Sequence, residues 1–245
     1  MTDILIYALL LSFILLGIHA YFGLEIVRRG IIFTDIAIAQ FSALGLALSF
    51  IFYNKPSYFL SLFFALFSSF LISISQRKKE YSEAFIGILY ALGFSSVILI
   101  FSKYPHGMEE FMKLTASDIL FVPFNEIIKT MFLYILFGFL LYLRHLFLKG
   151  IFKELSFFIL FSLTVTSSVK LVGVLVVFSI LVAPALVSTI FGKGLIFAWI
   201  YGALINILGI LISFKFDLST GFTLVFLHSL FGGLFFLTGL KKYSF

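Results

Sequence analysis

Two side chains stand out because they sit where polar groups are costly. Asp35 and Gln40 fall in Thr34-Asp35-Ile36-Ala37-Ile38-Ala39-Gln40-Phe41-Ser42-Ala43-Leu44-Gly45-Leu46-Ala47, an otherwise apolar stretch just after the paired arginines Arg28 and Arg29. A charge at the centre of a membrane span costs about 2.5–3.5 kcal/mol on insertion scales, so it marks an ion path or a buried pair. A carboxylate and a carboxamide both offer oxygen to a cation. The competing reading is structural: Asp35 pairs with Arg28, Arg29 or a helix end, and Gln40 makes an interhelical hydrogen bond.

A second cluster is His106, Glu109 and Glu110. On a helix these residues share one side. Imidazole with carboxylate suits zinc or another transition metal; a solvated loop mouth that attracts cations is the plainer alternative. His228 and Asn206 fall near the middle of later apolar runs, and His19 near the inner end of the first. A lone histidine at such a depth is either hydrogen-bonded or a ligand. Glu83 opens an apolar run, where a helix N-terminus favours an acid.

No catalytic constellation accompanies these groups. A P-loop needs a glycine-rich loop ending in Gly-Lys-Ser/Thr, and Gly192-Lys193-Gly194 lacks both the spacing and the hydroxyl. Neither a Ser-His-Asp set nor His-Glu-x-x-His is present, and the absence of cysteine excludes disulfides and thiolate metal sites. The expectation is a chain that is not an enzyme, binds no cofactor of its own, and draws energy from a partner or an ion gradient.

The elements that carry these residues are membrane helices. The 245 residues are 62% hydrophobic and 11% charged, against about 25% charged in soluble domains. The apolar runs are long and continuous, which excludes a transmembrane barrel. At about 20 residues per span, helices are predicted over 3–22, 31–53, 56–76, 83–102, 127–148, 153–169, 171–190, 194–213 and 219–240. The sixth and seventh form one apolar stretch in which only Thr164, Thr166, Ser167, Ser168 and Lys170 suggest a break; eight spans or a re-entrant pair also fit. The fold class is all-α, a polytopic bundle of 8–9 transmembrane helices forming one domain over 1–245.

Met1-Thr2-Asp3-Ile4 lacks a basic region, so the first run reads as a span and not a cleaved signal. Placing the N-terminus outside puts Arg28, Arg29, Arg77, Lys78, Lys79, Arg144, Lys149, Lys153, Lys193, Lys241 and Lys242 inside. The outer side keeps Lys55, Lys103, Lys113, Lys129, Lys170 and Lys215. The larger basic set favours N-out, C-in. The net charge of +6 is thus topological and does not imply nucleic acid. Glycines inside the spans, such as Gly93 and Gly173, read as sites of close helix packing. Segment 103–126 reads as a short helix or re-entrant piece on the outer side.

Four motifs in register resemble the membrane permeases of zinc/manganese/iron ABC importers. Arg28 to Gly45 looks like that family's second-helix signature. Tyr81-Ser82-Glu83-Ala84-Phe85-Ile86-Gly87-Ile88 resembles its Ser-Glu-Asp-x-x-x-Gly segment, and Ser117-Asp118-Ile119-Leu120 its Gly-Asp-(Ile/Leu)-Leu. Val172 to Ala185 is similar to its Val-Gly-x-Leu-Leu-Val-x-x-Leu-Leu-x-x-Pro-Ala stretch. The resemblance implies a multi-pass permease in the plasma (inner) membrane that pairs with a second copy of itself. It implies cytoplasmic ATPase subunits that bind ATP, an extracytoplasmic metal-binding protein, and a divalent metal ion as cargo. It also implies that Pro184, Ala185, Ser188 and Lys193 lie in a short cytoplasmic helix that docks on the ATPase.

One departure bears on the cargo. The family's second helix carries Asp and His four residues apart, about 40° around the helix; here Gln40 follows Asp35 by five, about 140°. A one-residue bulge would bring both to one side. Carboxamide is also a weaker zinc ligand than imidazole. The candidate path thus comprises Asp35, Gln40, His106, Glu109, Glu110 and His228. An ion-gradient-driven transporter or channel without an ATPase is the alternative, and it predicts broken helices in inverted repeats.

Overall fold

The computed structural model describes residues 2–104, 107, 109, 111–112 and 119–240. Among these residues there are nine long α-helices and no strand. They are α1 (Thr2–Arg29), α2 (Thr34–Tyr53), α3 (Tyr58–Ser75), α4 (Lys79–Phe101), α5 (Phe124–Phe147), α6 (Gly150–Val172), α7 (Val174–Ile190), α8 (Leu195–Phe216) and α9 (Thr220–Leu240). Eight are long and apolar enough to cross a membrane; Val174–Ile190 is shorter. The chain is a multi-pass membrane protein.

Helix ends follow local chemistry. α1 runs seven residues past its expected end, to Arg29, because Arg28 and Arg29 are favourable in a last turn, where the helix dipole is negative. His19 is therefore mid-helix and not near an end. Asn54 and Asp217 close α2 and α8 in the left-handed conformation, with φ of 51° and 52°. Ser57 caps α3 by accepting from the Leu60 amide at 3.4 Å. The break between α6 and α7 falls at Gly173, not in the hydroxyl-rich stretch before Lys170. Gly173 has φ of +86°, which a Cβ would strain. The hydroxyls expected to interrupt the helix turn inward instead: Thr164 and Ser168 donate to the carbonyls of Leu160 and Thr164 at 2.8 and 2.7 Å.

The chain divides into two compact units. The first comprises Met1–Gly30, Ala116–Phe132 and Leu171–Phe245. In it α1 packs on α7 and α8, and α9 packs on the same two helices. A Cβ at Gly23 would lie 2.1 Å from the Leu181 carbonyl oxygen, so the α1 and α7 backbones touch there. Trp199 donates its indole N–H to the Gly17 carbonyl at 3.0 Å.

The second unit comprises Ile31–Thr115 and Leu133–Lys170. Here α2 packs against both α3 and α4. Ser69 on α3 donates to the Phe158 carbonyl on α6 at 2.7 Å. Arg144, counted above among the inner-side charges, is buried; its Nε donates to the Lys153 carbonyl at 2.7 Å and its guanidinium lies over the Phe157 ring. α3 shows the inside-out logic of a membrane helix. Phe59, Phe63, Phe67 and Phe70 are exposed, while Ser61, Ala65, Ser68 and Ser69 are buried. Lipid is as apolar as leucine, so small and hydroxyl side chains make the helix contacts and the large ones face out.

Candidate functional site

The second unit holds the polar groups of α2. The chain reaches this helix through a turn in which the Thr34 hydroxyl donates to the Ile31 carbonyl at 2.7 Å. Glu83, in the first turns of α4, completes that turn from outside: its Oε1 accepts from the Phe33 amide at 3.3 Å. The carboxylate expected to serve its own helix start therefore caps another helix. Its neighbour Ser82 bonds to Ser75 at 2.9 Å and accepts from Gln76, which holds the α3–α4 corner. The Tyr81-Ser82-Glu83 motif thus fixes where α2 begins.

Asp35 is 1% exposed and Gln40 7%. Asp35 Oδ1 and Gln40 Oε1 are both buried without a hydrogen-bond partner. A buried acceptor left unpaired costs roughly 1–3 kcal/mol, more if charged, so both oxygens are suited to a passing cation or donor. Of the structural alternatives, the helix end applies in part: Asp35 lies in the first turn of α2 and its carboxylate accepts from the Ile36 amide, which leaves Oδ1 over. Arg29 instead meets Glu25 one turn earlier on α1, at 3.5 Å.

α2 is a continuous α-helix from Thr34 to Tyr53, with no bulge. Five residues of α-helix therefore separate Asp35 from Gln40, about 140° of turn and about 7.5 Å of rise. The two side chains therefore leave the helix on different sides and at different heights. Gly93 on α4 makes room at the second of them: a Cβ there would sit 3.0 Å from the Gln40 Cβ. The close-packing role expected of Gly93 thus falls beside the candidate path.

The first unit carries a different polar arrangement. His228, Asn206 and Ser12 are all fully buried. Asn206 Nδ2 donates to the Ser12 carbonyl at 3.3 Å, and Asn206 Oδ1 lies 2.8 Å from His228 Nε2. With the carboxamide so oriented, Oδ1 accepts and Nε2 carries the proton. His228 Nδ1 is left with a lone pair and no partner. Tyr201, whose hydroxyl is also unpartnered, meets the imidazole edge-on at 6.5 Å between ring centres. His19 lies in the same unit with Nδ1 donating to the Leu15 carbonyl at 2.8 Å. Asn206 is the residue that gives His228 its orientation; its mid-span position was the available signal.

His106 and Glu110 lie outside the described residues, as do Ser117 and Asp118. Glu109 is helical and exposed. Among the described residues no three His, Asp or Glu side chains gather as a metal site.

The expected docking region differs from the expectation in form. Pro184, Ala185 and Ser188 are buried turns of α7, which continues unbroken to Ile190, so no separate short helix spans 184–193. Pro184 and Ala185 pack against the positions of Gly202 and Gly23. Ser188 then ties a tight turn: its hydroxyl donates to the Gly194 carbonyl at 2.8 Å, and its own carbonyl accepts from the Lys193 amide at 2.8 Å. Gly192, Lys193 and Gly194 are the exposed tip.

Residues 1–238 match the family described as ABC 3 transport family. No curated protein sequence matches the chain. Two solved structures share its fold. PsaBC from Streptococcus pneumoniae in complex with Fab aligns with a TM-score of 0.73 at 20% identity, covering 94% of this chain and 90% of that one. A metal-chelate type ABC transporter in an inward-facing conformation aligns with a TM-score of 0.67 at 18% identity, covering 96% and 85%.

Proposed function

Since this chain belongs to the ABC 3 transport family, a family of ABC permeases, we propose that it carries a divalent metal ion (zinc, manganese or iron) into the cytoplasm. It works as a pair with a second copy of itself in the plasma membrane, N-terminus outside and C-terminus inside. Separate cytoplasmic ATPase subunits bind and hydrolyse ATP, and an extracytoplasmic metal-binding protein delivers the ion. The turn at Lys193 contacts the ATPase, held in shape by Ser188 and backed by Pro184 and Ala185.

The observation that carries the reading is the pair of unpartnered buried acceptors on α2, Asp35 Oδ1 and Gln40 Oε1. An importer must take up an ion and release it, so weak successive contacts serve better than one closed cage. In this reading Asp35 supplies the charge and Gln40 a neutral oxygen, a variant of the family's aspartate–histidine pattern that favours a harder ion than zinc. In the same reading His228, whose Nδ1 has no partner, and His106, Glu109 and Glu110 are further contacts of the transported ion.

The test is uptake by vesicles containing the chain with its ATPase, supplied with the metal-loaded binding protein. ATP-dependent accumulation of manganese, zinc or iron is the expected result. Accumulation without ATP, driven by an imposed ion gradient, would replace the reading with a secondary transporter. If Asp35→Ala and Gln40→Ala leave uptake unchanged while His106→Ala abolishes it, the path does not run along α2.

A further inference from the structure

A cavity of about 280 Å³ opens in the second unit, away from Asp35 and at the opposite end of α2. Its walls come from helix ends: Phe50 of α2, Tyr58 and Ser61 of α3, Phe101 of α4, Thr166 and Lys170 of α6. Ser42 lies deeper, two turns before Phe50. The metal path proposed above does not use this cavity.

Each of its polar side chains can donate a hydrogen bond. Lys170 is exposed, with its ammonium 5.8 Å from the centre of the Tyr58 ring. Thr166, one turn below it on α6, is buried with an unpartnered hydroxyl. Ser42 and Ser61 bond to each other at 2.7 Å. One hydroxyl of that pair donates to the other, which leaves one proton over. No acidic side chain lines the cavity among the described residues. The ammonium disfavours a divalent cation, and together with two hydroxyls free to donate it suits an anion rich in acceptor oxygens.

The position narrows the choice. Tyr58 lines the cavity and is exposed, as is Tyr53 at the end of α2, and exposed tyrosines mark the depth of lipid headgroups. The inner wall, with Phe50, Phe101 and Val169, is apolar. The geometry points to a bound anionic phospholipid: its phosphate meets Lys170 and the Thr166 hydroxyl, and the start of an acyl chain enters deeper, along Phe50 and Phe101.

The test uses the full chain, delipidated in neutral detergent and read by native mass spectrometry. The probes are phosphatidylglycerol, phosphatidylcholine and inorganic phosphate. Phosphatidylglycerol is expected to bind most tightly, with Lys170→Ala weakening it about tenfold, as for loss of one charge-assisted contact. Thr166→Val is expected to weaken it severalfold while leaving the lipid-free protein as stable as before, because it removes an unpaired buried hydroxyl at constant volume. Equal binding of phosphatidylcholine overturns the role of lipid charge. Phosphate competing at matched concentration overturns a lipid as the occupant. Unchanged lipid binding in both variants overturns the site.

Discussion

The two units bury polar groups in opposite ways. In the first, Ser12, Asn206 and His228 form a chain across α1, α8 and α9, with one ring nitrogen over. In the second, Asp35 and Gln40 sit on one helix, and each keeps an oxygen with no partner. Yet both units close their helices by the same device: a glycine facing a carbonyl, Gly23 against Leu181 and Gly45 against Leu60. The contrast separates polar groups that hold helices together from polar groups that are held in readiness. Tight backbone contact around α2 keeps the unsatisfied acceptors from relaxing toward a neighbour.

The sharpest way to break the comparison is to deny both units their close contacts. Gly23→Val and Gly45→Val place a branched Cβ 2.1 and 2.4 Å from a carbonyl oxygen and should cost on the order of 4 kcal/mol each. Chromatography of the solubilised protein should show loss of the folded species; a monodisperse Gly45→Val protein would mean that the α2–α3 contact is loose. Next in size, Asp35→Ala should lower metal uptake about 100-fold, the equivalent of one charged contact of ~3 kcal/mol. Its melting temperature should hold or rise, because the change removes a buried carboxylate one of whose oxygens, Oδ1, has no partner. A fall in stability equal to the fall in uptake would place Asp35 with the structural groups.

The first unit predicts the reverse. His228→Leu leaves Asn206 Oδ1 without its donor and should cost ~1–3 kcal/mol of stability. Combining it with Asn206→Leu should cost less than the two single changes added together, as thermal denaturation of all three variants can measure. The smallest effect belongs to Glu83→Gln, which weakens the cap on α2 by ~0.5–1 kcal/mol. Amide exchange at Ile36 and Ala37 should quicken, while exchange in α8 stays as it was.

Much of this was legible in the chain. Nine apolar runs became nine helices, because a membrane span must satisfy its own backbone and so must be long and continuous. The angle between Asp35 and Gln40 also followed from spacing, since α2 is regular. The break before α7 was misplaced because serine and threonine inside a span bond to their own helix, whereas the residue that interrupts it is the one without a Cβ. Glu83 escaped a sequence reading for a different reason: the amide it caps lies fifty residues earlier. The burial of Arg144 was hidden in the same way, since its partners, the Lys153 carbonyl and the Phe157 ring, belong to the next helix.

One dimension of α7 carries a consequence of its own. Its 17 residues span about 25 Å, short of a hydrocarbon layer of about 30 Å. A lipid-facing helix of that length would dimple the bilayer. α7 is mostly wrapped by protein, so the membrane does not set its length. Thicker or thinner lipid therefore loads the outer helices, with α3 and its phenylalanine row among them, and leaves α7 as a ruler that the bilayer cannot stretch.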